Sequence, residues 1–425
     1  MTAPASLLAH GVGSRHDLPL SPFYAYAGAF AALFVSFLAL GLLWSSSRFR
    51  GDRAGRPLPA ALQRLADARA TRAALRLAGS AAALAVLLHL LLGPDDPDRN
   101  PAAGAVYVLL WVGLVPASLL LGLVWRLLNP LRALHALLPA PRRPRPLPAR
   151  LGIRPAAAGL LLFAWLELAA PDPASSTTLL TFLAVLTATG LLGAARHGPD
   201  WFAHADPFEV YSTLLARLSP LGRRADGRLV LRSPFDGLDS TPQTPGLVAT
   251  VCVLLGSTAY DGVSDNPRWI TTLQTSPLGP TATATLGLLT AVALVAALYA
   301  LCAGTLRLMS RTLSHPLTAF AHSLLPIAVG YLVAHYFTLF VTEGPRTVMM
   351  AVGTDNAPAP APPLAPGGLA TLQVAAIVTG HVLGVVAAHD RSVRLFPPAR
   401  AVAGQLPLFA LMIAYTLGGI GLLIT

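Results

Sequence analysis

The chain has 425 residues, of which 54% are hydrophobic and only 12% are charged. Soluble domains carry about 25% charged residues, so this composition excludes an ordinary soluble protein and predicts an integral membrane protein. The formal net charge of +11 does not indicate a nucleic-acid partner, because the arginines lie in loops between apolar segments, where they orient a chain in a membrane.

Apolar segments recur along the whole chain, and about ten of them approach the 20 or so residues that a helix needs to cross the hydrocarbon layer. The predicted fold class is therefore all-α, a polytopic transmembrane helix bundle in a lipid bilayer. Every basic side chain is Arg, a bias typical of G+C-rich genomes, so we expect the bacterial cytoplasmic (inner) membrane. In chain order the predicted spans are Phe23–Trp44, Leu77–Gly93, Gly104–Leu128, Pro155–Pro171, Thr178–Ala195, Gly246–Gly262, Thr281–Leu306, Leu317–Thr342, Leu369–Ala388 and Gln405–Ile424.

A long polar segment divides these spans into two sets. The predicted regions are an extracytoplasmic N-terminal segment (1–22), spans one to five (23–195), a cytoplasmic loop (196–245) and spans six to ten (246–425). In the loop, Asp206-Pro207 is a helix-start signal. Four apolar residues then repeat at helical spacing, Phe208, Tyr211, Leu215 and Leu218. The opposite face is predicted to be polar, with Glu209, Thr213 and Arg217. This stripe is typical of an amphipathic helix in the membrane interface or of a helix that caps the bundle.

The same loop contains a hairpin signal. Asp226-Gly227 precedes Arg228-Leu229-Val230-Leu231. Glycine after aspartate favours a tight turn, and the following residues have strand propensity. We therefore predict a turn that enters a short strand.

The arginines predict the orientation of the bundle. Loops after the odd-numbered spans are rich in arginine, for example at Arg53, Arg143 and Arg391, whereas loops after the even-numbered spans contain few. By the positive-inside rule the basic loops are cytoplasmic, so both termini would lie outside and the two sets of five spans would be inverted halves. The third span of each half contains an interior proline, Pro116 or Pro326. Helices broken at matching places in inverted repeats indicate a binding site near the midplane.

The eighth predicted span, Leu317–Thr342, is expected at the centre of the bundle because it contains polar side chains where leucine would be less costly. Pro326 cannot donate to the carbonyl of His322, four residues earlier. We therefore expect that oxygen to need another partner in lipid. Tyr331 and His335 are four residues apart and share a helix face.

Titratable side chains in several spans form a predicted polar layer. A charged group at a span centre costs about 2.5 kcal/mol or more, so each such residue requires an explanation. At a rise of about 1.5 Å per residue, the layer in the outer half of the membrane contains His89, Glu167, His335 and Asp261. His381 lies nearer the middle of its span.

Three roles are open for this layer. The side chains can bond neighbouring helices and serve packing. They can form a solute or proton path, for which the candidates are His335, Tyr331, His381, Glu167 and Asp261. They can also bind zinc or iron, with His89, His335 and Glu167 as ligands. No HExxH, GxSxG or P-loop motif accompanies them, and His10 and His16 near the N-terminus match no known metal spacing.

Four stretches of the chain form a further pattern: His10-Gly11 followed by Asp17-Leu18-Pro19-Leu20; Asp206-Pro207-Phe208-Glu209-Val210-Tyr211; Leu255 through Gly262; and Leu325-Pro326 through Gly330-Tyr331 to Ala334-His335-Tyr336. Together they resemble a family of bacterial polytopic membrane proteins commonly labelled fenitrothion hydrolase. The resemblance covers most of the chain and implies cleavage of an organophosphate ester, but it assigns no role to any residue. Such a hydrolase needs a water-activating metal or a nucleophile with a base, which only the polar layer can supply.

The preferred functional prediction is a transporter-like protein that moves a small solute or ion through a His/Glu-lined site beside the helix 317–342. One alternative is a membrane-embedded, metal-dependent hydrolase. Another is a structural or assembly partner of a different membrane complex. The sequence specifies neither the substrate nor the oligomeric state.

Overall fold

The structure of the chain is a computed structural model that describes residues 22–138, 144–309, 316–353 and 361–424. The predicted N-terminal segment, with His10, His16 and the first stretch of the family resemblance, lies outside the described residues, as does Arg143. The chain is 77% helical, and three strands of two or three residues are the only ones in the described ranges. The predicted all-α class is therefore confirmed.

The described part of the chain contains sixteen helices of five or more residues and eight helical turns of three or four residues. The labelled helices are α1 (Pro22–Leu43), α2 (Ala60–Asp67), α3 (Arg69–Leu92), α4 (Ala102–Leu121), α5 (Val124–Leu128), α6 (Pro130–Leu137), α7 (Arg154–Leu168), α8 (Ser176–His197), α9 (Pro207–Leu215), α10 (Pro234–Asp239), α11 (Leu247–Ser264), α12 (Pro267–Thr275), α13 (Pro280–Met309), α14 (Leu325–Ala351), α15 (Pro366–Leu395) and α16 (Leu406–Ile424). The short turns are Gly51–Arg53, Pro199–Trp201, Phe202–Ala205, Ala216–Leu218, Pro316–Ala319, Ala321–Leu324, Pro398–Ala401 and Ala403–Gln405.

Nine helices in the described part of the chain are long and apolar enough to cross a membrane. The protein is therefore a multi-pass membrane protein. The predicted fourth span corresponds to α7, which has only 15 residues and a length of about 22 Å at 1.5 Å per residue. That length falls short of the roughly 30 Å hydrocarbon core, so the predicted count of ten spans is not confirmed.

The chain forms two compact units that interleave along the sequence. The first contains the described residues within 52–237 and 338–361, and the second contains those within 22–51, 238–337 and 362–424. The boundary falls inside α14, between Phe337 and Thr338. The predicted inverted halves, which divide the chain at the polar loop, stay a prediction.

In the first unit, the core is built around α9. This helix begins at the N-cap Asp206, whose carboxylate accepts a hydrogen bond from the backbone N of Glu209 at 2.9 Å. Almost every residue of α9 is buried, and the helix packs against α7, α4 and α5. Glu209 is only 1% exposed, although it was expected on the polar face. This burial agrees with the alternative of a helix packed against the bundle, and the interfacial position stays a prediction.

A bidentate ion pair holds α6 against α9 in the first unit. The Arg132 guanidinium donates from Nε and Nη2 to the two carboxylate oxygens of Glu209, each at 2.6 Å. Fork-to-fork pairing of this kind is among the strongest charge-assisted contacts in proteins. Asn129 Nδ2 donates to Asp206 at 2.8 Å beside it. Burial raises the pKa of Asp206 to about 6.

Outside the helices, the first unit has a small antiparallel sheet with the order β1 (Arg56–Pro57), β3 (Leu229–Leu231), β2 (Leu221–Arg223). Gly227 has φ +81°, a left-handed conformation that glycine adopts easily. The backbone N of Gly227 donates to Arg224 O at 2.8 Å. The predicted turn and strand are therefore confirmed, and β3 pairs with a neighbour on each side.

The second unit brings α14 and α15 into backbone contact. A Cβ atom added at Gly380 would lie 2.5 Å from the carbonyl oxygen of Pro326, and one added at Gly330 would lie 2.6 Å from that of Ala376. Small residues of this kind let membrane helices approach closely. Around this crossing, α1, α15 and α16 pack on one another, and α16 also contacts α11 and α13.

The prediction for Pro326 is wrong. The chain forms a 3₁₀ turn over Ala321–Leu324, and α14 begins only at Leu325. Pro326 therefore occupies the first turn of its helix, where a missing N–H costs nothing. The carbonyl of His322, expected to be unpaired, accepts a hydrogen bond from the backbone N of Leu325. The helix also continues beyond the predicted end at Thr342 to Ala351, through Pro345.

Pro116, in the first unit, also follows a change of helix type, as Pro326 does. The segment Ala105–Val112 of α4 is π-helical, and regular α-helix resumes at Leu114. Pro116 is therefore also in the first turn of an α-helical segment. π-helical turns are uncommon and often accompany functional sites.

We expect Gly380→Ala to destabilise the protein by about 1–3 kcal/mol, the usual cost of overpacking a tight contact, because the new methyl group would push α15 away from Pro326. The matched control is Gly418→Ala in α16, where an added Cβ meets no atom within 4 Å and alanine favours the helix. Thermal unfolding in detergent measures both changes. Equal melting temperatures for the two variants would contradict the close crossing.

Candidate functional site

The centre of the second unit contains a buried carboxylate bonded to two side chains of another helix. Asp261 on α11 has its Oδ2 atom 2.6 Å from His335 Nε2 and 2.8 Å from the Tyr336 hydroxyl, which donates to it. Asp261 and Tyr336 are each 2% exposed and His335 is 7% exposed. We call these three residues the acid–imidazole cluster.

The position of Asp261 explains why it needs these donors. It lies in the last turn of α11, which ends at Ser264, and the partial negative charge at a helix C-terminus disfavours a carboxylate there. Burial adds a desolvation cost unless the charge is paired and hydrogen-bonded. His335 and Tyr336 are consecutive residues of α14, and both reach the same oxygen. The cluster can therefore hold a proton between the imidazole nitrogen and the carboxylate oxygen.

A second polar cluster, formed by His381, Tyr331 and Tyr415, lies within the same unit. The ring centroid of Tyr331 is 5.7 Å from that of His381 and 5.4 Å from that of Tyr415. Tyr331 donates to the backbone oxygen of Tyr415 at 2.6 Å, and Tyr415 donates to that of Leu255 at 2.7 Å. These bonds connect α14, α16 and α11. We call the three side chains the tyrosine–histidine cluster.

His381 offers a buried acceptor in that cluster. Its Nδ1 atom is 2.9 Å from the carbonyl oxygen of Ile377, so Nδ1 carries the hydrogen and Nε2 is left with a lone pair in the neutral ring. The residue is fully buried, and Nε2 has no hydrogen-bond partner among the described residues. An unpaired buried polar atom costs about 1–3 kcal/mol, so a proton, a water molecule or a ligand that bonds to this nitrogen would be stabilising.

The two clusters adjoin along α14. Tyr331 and His335 are one helical turn apart, about 6 Å along the axis. Apolar side chains surround them: Ala25, Ala29, Ala334, Ile377 and Ile420 form a buried patch against which Tyr331 packs. The low dielectric of such surroundings strengthens each hydrogen bond and raises the cost of any unpaired charge.

The remaining predicted candidates lie in the first unit. Glu167 is 4% exposed near the end of α7. Burial raises the pKa of Tyr211 on α9 well above its usual value, and the nearby charge of Glu167 raises it further. Tyr211 stacks on Trp111 at 4.5 Å between centroids. His89 on α3 has its Nδ1 atom 2.8 Å from Ala85 O, within its own helix.

The metal prediction finds no support in the side-chain geometry. Within residues 22–138, 144–309, 316–353 and 361–424, no group of three or more His, Cys, Asp or Glu side chains is arranged to hold a metal ion. Zinc or iron coordination by His89, His335 and Glu167 therefore stays a prediction. Of the proposed path residues, the structure pairs Asp261 with His335 and places Tyr331 against His381.

Sequence reasoning missed Tyr336, Tyr415 and a charged network at the end of α15. In that network Asp390 accepts hydrogen bonds from Ser47 Oγ at 2.8 Å and Arg48 N at 2.6 Å. Asp239 pairs with Arg391 and Arg394, at 3.1 and 3.0 Å. The network comes from distant elements and has no local motif. Tyr415 did carry a signal, because a tyrosine inside an otherwise apolar final span needs a partner for its hydroxyl.

Comparisons with known proteins identify no relative. No protein-family model, no curated protein and no solved structure matches the chain.

We expect Tyr336→Phe to lower the free energy of unfolding by about 1.5–3 kcal/mol, the usual contribution of a hydrogen bond to a charged group, because Asp261 loses one of its donors. Tyr24→Phe is the control, since Tyr24 is 74% exposed. Melting temperatures in the same detergent compare the two. A Tyr336→Phe variant as stable as the control would mean that the hydroxyl does not stabilise the carboxylate.

Proposed function

We propose that this multi-pass membrane protein is transporter-like and moves a small solute or ion through the second unit, coupled to proton binding at the acid–imidazole cluster. The observation that carries the proposal is the 2.6 Å contact between Asp261 and His335, buried between two candidate membrane spans. Paired carboxylates and histidines inside spans are the usual components of proton relays in pumps and transporters.

Protonation changes the net charge of the cluster. With Asp261 ionised and His335 neutral, the pair carries one negative charge. When a proton binds the imidazole, the pair becomes a neutral imidazolium–carboxylate contact. In a low-dielectric site the charged and neutral forms differ greatly in free energy, so proton binding can shift the equilibrium between two helix arrangements. A cation that enters the site would compete with the proton for Asp261.

The tyrosine–histidine cluster supports a path that extends beyond Asp261. His381 Nε2, on α15, is an available proton acceptor in the cluster that contains Tyr331. Tyr331 lies one helical turn from His335 on α14, and its ring contacts that of His381.

We expect His335→Gln to fold with a melting temperature close to that of the native protein but to lose pH-dependent proton uptake. Glutamine keeps a donor for Asp261 but cannot titrate. Infrared difference spectra of reconstituted protein, recorded between acidic and neutral buffer across the range where histidines usually titrate, measure the uptake. Asp261→Asn should remove the same spectral change.

If proton uptake is unchanged in both variants, the cluster serves only packing. The same conclusion follows if the His335→Gln variant fails to fold while the Asp261→Asn variant is fully active. In that case the structural or assembly role is preferred. Transport is measured in parallel, as proton flux into vesicles with imposed sodium or potassium gradients. The flux should depend on His335 and Asp261 but not on Tyr24.

Hydrolysis is the second candidate, because a histidine oriented by a carboxylate is a suitable general base. In this mechanism Asp261 holds the ring, and His335 takes a proton from the water that attacks an organophosphate ester. Zinc or iron would supply Lewis-acid activation of that water. This candidate agrees with the fenitrothion hydrolase resemblance.

Release of the phenol from fenitrothion by purified protein tests the second candidate. Hydrolysis predicts that His335→Gln and Asp261→Asn each lower the rate at least about 100-fold, the usual contribution of a general base. A metal-dependent mechanism also predicts near-stoichiometric zinc or iron in the preparation. If the native protein releases no phenol while its proton uptake is intact, the hydrolase candidate is wrong and the transport proposal stands.

A further inference from the structure

The first unit has an apolar groove between α7 and α8. It has a volume of about 340 Å³, near the lower end of the roughly 300–1,000 Å³ of typical ligand sites. Its walls are formed mainly by Leu131, Leu162, Phe182, Val185 and Leu186, and Trp201 closes one end. Leu162 and Val185 are 41% and 44% exposed. In a multi-pass membrane protein such exposed apolar side chains contact lipid.

The floor of the groove is tightly fixed. A Cβ atom added at Gly159 would lie 3.1 Å from the Pro207 ring, and one added at Gly190 would lie 3.1 Å from Leu131 Cδ1. These glycines bring the walls together and leave a narrow slot. Asp206 lines the groove too, but its two oxygens accept hydrogen bonds from Glu209 N and Asn129 Nδ2. The slot therefore offers an apolar surface, and its one carboxylate is already hydrogen-bonded within the protein.

Positive charge is concentrated at one end of this slot. Arg154 is adjacent to the lining residue Pro155, and Arg196 lies in the last turn of α8. Both side chains are exposed, and neither forms an ion pair within the described residues. His197 stacks on Trp201, with ring centroids 5.4 Å apart. Tryptophan is typical of the membrane–water interface, which places this end at headgroup level.

We infer that the groove binds an anionic phospholipid, with one acyl chain in the apolar slot and the phosphate against Arg154 and Arg196. An apolar slot with a basic rim matches the two parts of such a lipid, and basic pockets between membrane helices bind anionic headgroups. The volume of about 340 Å³ accepts part of one acyl chain and not a whole lipid. This site is independent of the proposed transport function, because all of its residues belong to the first unit.

Lipid binding is measured on purified full-length protein by native mass spectrometry and thermal shift, with phosphatidylglycerol and phosphatidylcholine as probes. Phosphatidylglycerol should bind at one high-affinity site and raise the melting temperature more than phosphatidylcholine does. Arg154→Gln combined with Arg196→Gln should weaken phosphatidylglycerol binding about 30-fold, from about 1 kcal/mol for each arginine near the surface. Arg64→Gln combined with Arg126→Gln is the charge-matched control, since both residues are exposed and neither lines the groove.

The acyl-chain part of the inference is tested separately by Ala158→Trp, which fills the slot from an exposed position. This variant should lose phosphatidylglycerol while both arginines remain. If it does not fold, Leu162→Trp is used in its place. Equal binding of the two lipids, undiminished binding by the Arg154/Arg196 variant, or an equal thermal shift from glycerol phosphate alone would each overturn the proposal. Proton uptake is measured in the same groove variants. Intact uptake would show that a failure of the lipid proposal leaves the transport proposal unaffected.

Discussion

A carboxylate inside a membrane helix must be matched by donors from other helices, because no bulk water is available to solvate it. Asp261 of α11 meets this requirement through His335 and Tyr336 of α14. The bonded pair fixes where α11 and α14 lie relative to each other in the second unit. Tyr331 and Tyr415 extend the same arrangement by bonding to backbone oxygens of α16 and α11. The polar interior of this unit is thus a set of helix-to-helix bonds, and one of them can also hold a proton.

The first unit satisfies the same constraint with a permanent ion pair. Glu209 and Arg132 bond through both carboxylate oxygens, and the guanidinium cannot lose its proton in any ordinary pH range. That contact has one charge state. The contact between Asp261 and His335 has an imidazole in place of the guanidinium, and an imidazole can be neutral or protonated. This difference in chemistry is the reason for placing the proton-linked function in the second unit and a structural role in the first.

Much of the fold follows from the sequence because apolar length is a direct signature of membrane helices, and Asp226-Gly227 is a direct signature of a turn. Asp261 and His335 were both identified from the cost of burying them. Their mutual bond was not predictable, since it depends on how α11 and α14 pack. The error at Pro326 has a local cause: the rule for interior prolines assumed a helix that starts at Leu317, and the 3₁₀ turn over Ala321–Leu324 moves the start to Leu325. The burial of Glu209 was missed because a helix with one apolar stripe was assumed to expose its other face.

The contact between α14 and α15 has a consequence for motion. At Gly330 and Gly380 the two helices meet backbone to backbone, with carbonyl oxygens of one helix against glycine Cα atoms of the other. Most packed helices interlock through side chains that must change rotamer before one helix can move past the other. At Gly330 and Gly380 no side chain interlocks the two backbones, so a small sliding movement of the kind seen in shear motions would have to break only contacts at the sides of the crossing, such as the bond from Gln373 Nε2 to Ala334 O. His335 lies on one of these helices and His381 on the other. A sliding movement at the crossing would therefore change the distance between the two histidines.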